Sequence, residues 1–336
     1  MKRLICLLLA LLTLGAAAET ADAPSSAEAH AVVEALFLAA TGTAERDEIA
    51  LWKTLDAQGK SARSEENAAY RARTLPWLKA AFAPADAEEA AAPDAAVPAW
   101  LDEDCMAAFQ GNPHGQAYLA LLAQYGASDA QGCMAVTRRM VQLWLAEIDH
   151  GKLRDINGDY QLWLYAPDTP IDYPVVQCRS NSYYLERMFN RKQNPAGTLF
   201  IDMRNLPGFR DPNTLIYGHH MRDGSMFHSL TDYDAPGFYD AHPYMLAVSE
   251  GEIRLIEVFA GYVTNSRDHC YDIALSDEAD MRAFVEEARR KSYFASHVEI
   301  DCAADRLVTL STCAYNFDNA RCVVIGRLTP VWQESE

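Results

Sequence analysis

The sequence predicts a mainly β fold: a closed seven- to eight-stranded β-barrel with one or two short helices, preceded by an α-helical N-terminal extension. Three observations predict it. After Gly151, short apolar runs rich in β-branched and aromatic residues recur along the chain. Clusters of Gly, Pro, Asn and Asp separate those runs. Before Gly151, the background is Ala-rich and apolar residues recur at helical spacing.

The chain of 336 residues begins with Lys2 and Arg3, followed by the apolar stretch LICLLLALLTLGAAA from Leu4 to Ala18. Small residues at Ala16 and Ala18 complete a cleavage pattern, so residues 1–18 read as an export signal or a short membrane anchor. The stretch is shorter than the roughly 20 residues of a comfortable span, which favours cleavage over retention. Everything after Ala18 is then expected outside the cytoplasm, with membrane association through the N-terminus if the segment stays.

Residues 19–150 form the helical extension. His30–Ala40 is periodic and stops at Gly42, and Glu65–Phe82 is helical in pattern with a break or kink expected at Pro76. Ala83–Ala99 is a low-complexity Ala/Pro/acid linker. Helical spacing resumes at Glu103–Phe109 and Gln116–Tyr125, and is strongest over Ala130–Ile148. The extension reads as a spacer or docking bundle.

Residues 151–336 form the barrel. Its expected strands are Tyr160–Tyr165, Thr198–Ile201, Thr214–Tyr217, Met245–Val248, Ile253–Tyr262, Arg306–Leu310 and Cys322–Leu328. One helix interrupts them, from Ser276 to about Lys291. Ser276 is the expected N-cap, acids fill the first turn, and Arg289, Arg290 and Lys291 fill the last. That helix is placed where it could wall a substrate groove.

The net charge of −18 argues against nucleic acid as a partner, because phosphate binding relies on clustered Lys and Arg. Eight cysteines are present, and removal of Cys6 with the signal leaves an odd number. No C-x-x-C pair and no metal-like histidine spacing occurs, so neither a metal nor a cofactor is expected. His228, His242, His269 and His297 read as ordinary polar residues.

The residues that could carry chemistry are Cys313, Arg321 and the pair His219–His220. A catalytic thiol needs a nearby histidine or other cation, and acyl transfer creates an oxyanion that needs fixed donors. The expected strands put Cys313 and Arg321 at facing ends of two neighbours, with a histidine just past a third. Those residues alone leave two readings open, because a strand-end cysteine is commonly an inert, buried small hydrophobe.

TLSTC at Thr309–Cys313, with Arg321 after a short loop, resembles the TLxTC…R signature of sortases. The likeness runs over about 180 residues, from Leu153 to Trp332, and its details resemble class B. IDYPVVQ at Ile171–Gln177 and AGTLFIDMRN at Ala196–Asn205 look like early strands of that class. NTLIYGHHM at Asn213–Met221, followed by MFHSL at Met226–Leu230, is similar to its histidine block.

The resemblance implies a cysteine transpeptidase. Cys313 would be the nucleophile, His219 the proton shuttle, and Arg321 the holder of the oxyanion. The implied partners are secreted proteins bearing a sorting motif, and an amine of a peptidoglycan cross-bridge or of its lipid-linked precursor. Ser311, Thr312 and Tyr217 would line the substrate groove. His220 would point to the opposite face as a packing or surface residue, and Cys322 would turn away from the site.

Two departures from the class pattern are visible. Ala314 stands where many members carry an acidic or polar residue, and the extension is longer than the short helices usual in the class. Two rival readings remain beside the enzyme. One is a catalytically silent sortase-like peptide-binding module. The other is a papain-like hydrolase, disfavoured because Cys313 follows a strand and not a helix start.

Overall fold

The computed structural model describes residues 24–41, 63–82, 109–127 and 130–333. Residues 1–18, expected as an export signal or short anchor, the expected linker 83–99 and all but the end of Glu103–Phe109 lie outside the described residues. Within the described chain, the division into two compact units falls between Ile148 and Asp149.

The first unit holds α1 (Ser26–Thr41), α2 (Arg63–Phe82), α3 (Pro113–Gln124) and α4 (Ala130–Glu147). α1 is apolar nearly all round and is buried from Ala31 to Ala40, as such a helix must be. It packs against α3 and α4. α2 runs through Pro76 as one helix, so the expected break does not occur. Proline removes one backbone hydrogen bond, but Trp77, Leu78 and Phe82 just beyond it are buried. Tertiary burial outweighs the local penalty.

The second unit opens with the unforeseen helix α5 (His150–Ile156). Asp149 caps it, accepting from the Lys152 amide at 2.9 Å. Eight strands follow: β1 (Tyr160–Tyr165), β2 (Asp172–Val176), β3 (Leu199–Ile201), β4 (Asn213–Tyr217), β5 (Tyr244–Ser249), β6 (Glu252–Asn265), β7 (Arg306–Cys313) and β8 (Ala320–Gln333). They close into a barrel in the order β1-β2-β3-β4-β7-β8-β6-β5. The β2–β3 and β4–β7 pairs are parallel, and the others are antiparallel.

β2 was absent from the strands expected on composition because Pro174 sits inside it, and proline usually argues against a strand interior. β6 and β8 extend well past their apolar cores, paired along their full length with register shifts at Ile253/Arg254 and Val258/Ala260.

Strand alternation splits the apolar residues between two faces. Leu164, Val175, Ile216, Met245, Val308, Leu310, Cys322 and Val324 fill the barrel interior. Leu307, Val323, Ile325 and Phe259 lie on the outer face, under α7 (Glu278–Lys291), which contributes Met281, Phe284, Val285 and Ala288. A further short helix, α6 (Phe238–Ala241), precedes β5.

α7 is capped by Asp277, not Ser276. The Asp277 carboxylate accepts from the Ala279 and Asp280 amides, and the Ser276 amide instead donates back to Asp280. A carboxylate at this position also meets the positive end of the helix dipole, which a hydroxyl cannot do. Among the described residues, no helix is long and apolar enough to cross a membrane. No cluster of three or more potential metal ligands occurs among them.

Candidate active site

The ends of β4, β7 and β8 meet on the outer face of the barrel. Antiparallel register places Cys313 directly opposite Arg321, so both side chains project from the same face. β4 lies parallel on the other side of β7, with Tyr217 opposite Ser311. The ladder continues one residue further, where the Gly218 amide donates to the Ser311 carbonyl at 3.1 Å. His219 follows at once. Cys313, His219 and Arg321 line one cavity of about 430 Å³, together with Tyr217, Ser311 and Thr312.

Gly218 is what lets the chain reach this point. A Cβ built there would lie 2.4 Å from Leu199 Cδ2 and 2.7 Å from Phe227 Cδ2, both in the barrel core. Gly218→Ala should therefore cost about 1–3 kcal/mol through overpacking and displace His219 along with the backbone. The check is thermal unfolding together with activity. Unchanged values of both would remove this steric role.

His219 is held by a backbone group. Its Nε2 lies 2.6 Å from the Leu185 carbonyl, in the 3-10 turn Tyr183–Glu186. A carbonyl can only accept, so Nε2 carries the proton, and in the neutral ring Nδ1 is left as the acceptor. Gly197, at φ +64°, backs this carbonyl. A Cβ there would sit 2.5 Å from the Tyr184 oxygen and 2.7 Å from the Leu185 oxygen. Gly197→Ala should push the carbonyl away from His219 and strain a left-handed residue, destabilising by about 1 kcal/mol or more. Loss of the Nε2–H resonance position in imidazole nitrogen spectra would report the displacement, and an unaltered spectrum would sink it.

A second layer fixes the cavity wall. The buried Asp202 carboxylate accepts from Tyr217 Oη at 2.9 Å and from Arg204 Nε and Nη2, each at 3.0 Å. Burial alone would raise the Asp202 pKa, but these bonds outweigh it and hold the group below the usual carboxylate range. Burial and the Asp202 charge push the Tyr217 phenol up, so Tyr217 stays a neutral donor.

On the other side, Tyr271 stacks on Tyr217 with centroids 6.4 Å apart, and its hydroxyl lies 2.8 Å from Ser311 Oγ. Asp268 holds the segment that carries Tyr271. It accepts from the Cys270 amide and Thr264 Oγ1, and it pairs with Lys291 at the end of α7.

The cavity differs from the sequence expectation in several respects. α7 contributes none of its lining residues. It covers the outer face of β6, β7 and β8, because its apolar stripe must be buried there, and it supports the segment that carries Tyr271 by packing and through the Lys291–Asp268 pair. Ser311 and Thr312 line the cavity but are each only 2% exposed. The Ser311 hydroxyl is engaged by Tyr271, and Thr312 Oγ1 has no hydrogen-bond partner among the described residues.

Cys322 faces the interior as expected, with its thiol donating to the Leu230 carbonyl at 3.2 Å. Burial pushes that thiol up to about 12. Among the described residues, Cys313 and Cys322 are both free, as are Cys178, Cys270 and Cys302. Asp202, Arg204, Tyr271 and Leu185 escaped the sequence reading, since nothing local distinguishes them from surface or core residues. His220, expected as packing or surface, does not line the cavity; it packs against His228 and Tyr315, and its Nδ1 lies 3.0 Å from the Cys313 carbonyl oxygen.

Residues 164–329 match the family model described as the Sortase domain. The chain is similar to sortase B of Listeria monocytogenes, 35% identical over 178 residues that cover 52% of this chain and 72% of the relative. The chain belongs to the class B sortases.

Sortase B of Staphylococcus aureus is 34% identical, covering 53% of this chain and 74% of the relative. Among solved structures, Clostridium perfringens sortase B superposes with a TM-score of 0.51 at 33% identity, covering 53% of this chain and 98% of the other. A Staphylococcus aureus sortase B–substrate complex does so with a TM-score of 0.53 at 30% identity, covering 56% and 91%. The closed eight-stranded barrel is thus the sortase barrel, and family membership makes the chain a sortase transpeptidase.

Proposed function

We propose that the chain is an exported cysteine transpeptidase that cleaves a C-terminal sorting motif of secreted proteins and passes the acyl group to a cell-wall amine. The observation that carries this reading is the convergence of Cys313, His219 and Arg321 on one cavity from three different strand ends. The proposed path needs no metal or redox partner. The Cys313 thiol gives up its proton to Nδ1 of His219, and Sγ attacks the scissile carbonyl carbon, forming a C–S bond as the carbonyl π pair moves onto oxygen. Arg321 faces the developing oxyanion. As the C–N bond breaks, His219 delivers a proton to the departing amine.

The incoming amine then attacks the thioester and loses its proton to His219, and the C–S bond breaks as the new amide forms. The acceptor amine would belong to a peptidoglycan cross-bridge or its lipid-linked precursor, on the outer side of the cytoplasmic membrane. The engagement of His219 Nε2 by the Leu185 carbonyl supports a role for Nδ1 as the working nitrogen.

The test is incubation of the full chain with LPxTG-like and NPxTN-like peptides, followed by intact mass measurement. The expected result is an added acyl mass that maps to Cys313 and is released when an amine is supplied. No adduct with any such peptide would shift the reading to a silent peptide-binding module.

A further inference from the structure

His220 lies next to the proposed proton shuttle but is turned to a different task. In the parallel β4–β7 ladder, the Gly218 amide donates to the Ser311 carbonyl. The next rung of such a ladder would run from the amide of His220 to the carbonyl of Cys313, two residues further along each strand. β4 has ended by then. The chain turns back, so that His220 bridges to Met226 and the Phe227 amide donates to the His219 carbonyl at 2.9 Å. The imidazole of His220 takes over the missing rung, with Nδ1 3.0 Å from the Cys313 carbonyl oxygen.

The acceptor is a carbonyl, so Nδ1 carries the proton. The ring is set by its neighbours. The His228 ring lies edge-on at 4.6 Å, itself anchored through Nδ1–H to the Met221 carbonyl at 2.7 Å, and the Tyr315 ring lies at 5.3 Å. On the far side of the same peptide unit, the Ala314 amide donates to the Ala320 carbonyl at 3.0 Å. Both polar atoms of the Cys313–Ala314 peptide are therefore tied, one to a side chain and one to the next strand. A peptide held at both ends fixes the Cα–Cβ direction of Cys313 at the point where β7 runs out.

We propose that His220 is a positioning residue whose Nδ1–H replaces the terminal rung of the β4–β7 ladder and aims the Cys313 thiol between His219 and Arg321. This deepens the transpeptidase reading and rests on it for the role of the thiol. Because the ring nitrogen is protonated in both the Nδ1–H neutral form and the imidazolium, the clamp does not depend on the charge state of His220.

Two variants separate the donor from the ring. His220→Phe keeps an aromatic ring between His228 and Tyr315 but has no N–H. His220→Asn loses the ring but keeps an amide donor at a similar reach. Misplacing a reacting group by a fraction of an ångström costs on the order of 10-fold in rate. With a peptide that acylates the parent chain, His220→Phe should lower kcat by about 10-fold with KM nearly unchanged. His220→Asn should recover most of that loss. A kcat for His220→Phe within about 2-fold of the parent, or equal losses in both variants, would overturn the proposal.

A measurement on the parent covers the case in which a variant does not fold. Imidazole nitrogen spectra should show the neutral His220 as the Nδ1–H tautomer, and an Nε2–H tautomer would overturn the clamp. The tautomer does not depend on what Cys313 does. An Nδ1–H tautomer in a chain that acylates no peptide would leave the clamp standing while the transpeptidase reading fails.

Discussion

Cys313→Ala should abolish acyl-adduct formation completely while leaving the barrel folded. Cys313 is a half-buried strand-end residue, and removing one sulfur there should change stability by no more than about 1 kcal/mol. Neither Cys322 nor Cys270 can replace it. Cys322 points into the interior, donates to the Leu230 carbonyl and has its pKa pushed up to about 12. Burial, reinforced by the Asp268 charge, also holds the Cys270 thiol neutral. Intact mass after exposure to a peptide that acylates the parent is the measurement, alongside thermal unfolding. An adduct of the same mass on the variant would move the nucleophile elsewhere and dismantle the proposed mechanism.

Arg321→Lys should lower kcat by about 10²- to 10³-fold with little change in the fold. Lysine preserves the charge, so a purely Coulombic role would tolerate it. The guanidinium differs in offering five donors in a fixed plane. One of these, on Nη1, already goes to the Ala320 carbonyl at 2.9 Å, which anchors the fork at the strand end opposite Cys313. A lysine ammonium that kept this bond would have no rigid second arm for a developing oxyanion. The readout is pre-steady-state acylation of Cys313 by the same peptide. Turnover within about 3-fold of the parent would rule out a need for the planar fork and leave charge alone as the contribution of Arg321.

Both expectations depend on a register that no single segment displays. TLSTC and the arginine eight residues after its cysteine are legible in the chain, and they point to two strand ends with a short loop between them. The strands containing them emerged near their expected places because Arg306–Leu310 and Cys322–Leu328 are continuously β-prone, as buried strands with covered faces are. Periodicity also carried the helices of the first unit and α7, whose charges oppose its dipole at both ends. β2 was hidden by Pro174, and the cap of α7 shifted one residue, from a hydroxyl to a carboxylate.

The sequence by itself determined the family, seven of the eight barrel strands and the identity of the three residues proposed to react, because those depend on residue types in local motifs. Only the tertiary structure decided what holds those residues in place. The Leu185 carbonyl that orients His219, the Asp202 carboxylate behind Tyr217, and the Tyr271 hydroxyl on Ser311 come from segments 15 to 40 residues away. His220 shows the reason most plainly. On an extended strand it would face away from its neighbour's site, and alternation predicted that. The strand ends before it does, so its ring supplies the rung that its backbone cannot. Local pattern can specify a strand, but where the ladder runs out depends on how the next segment folds back.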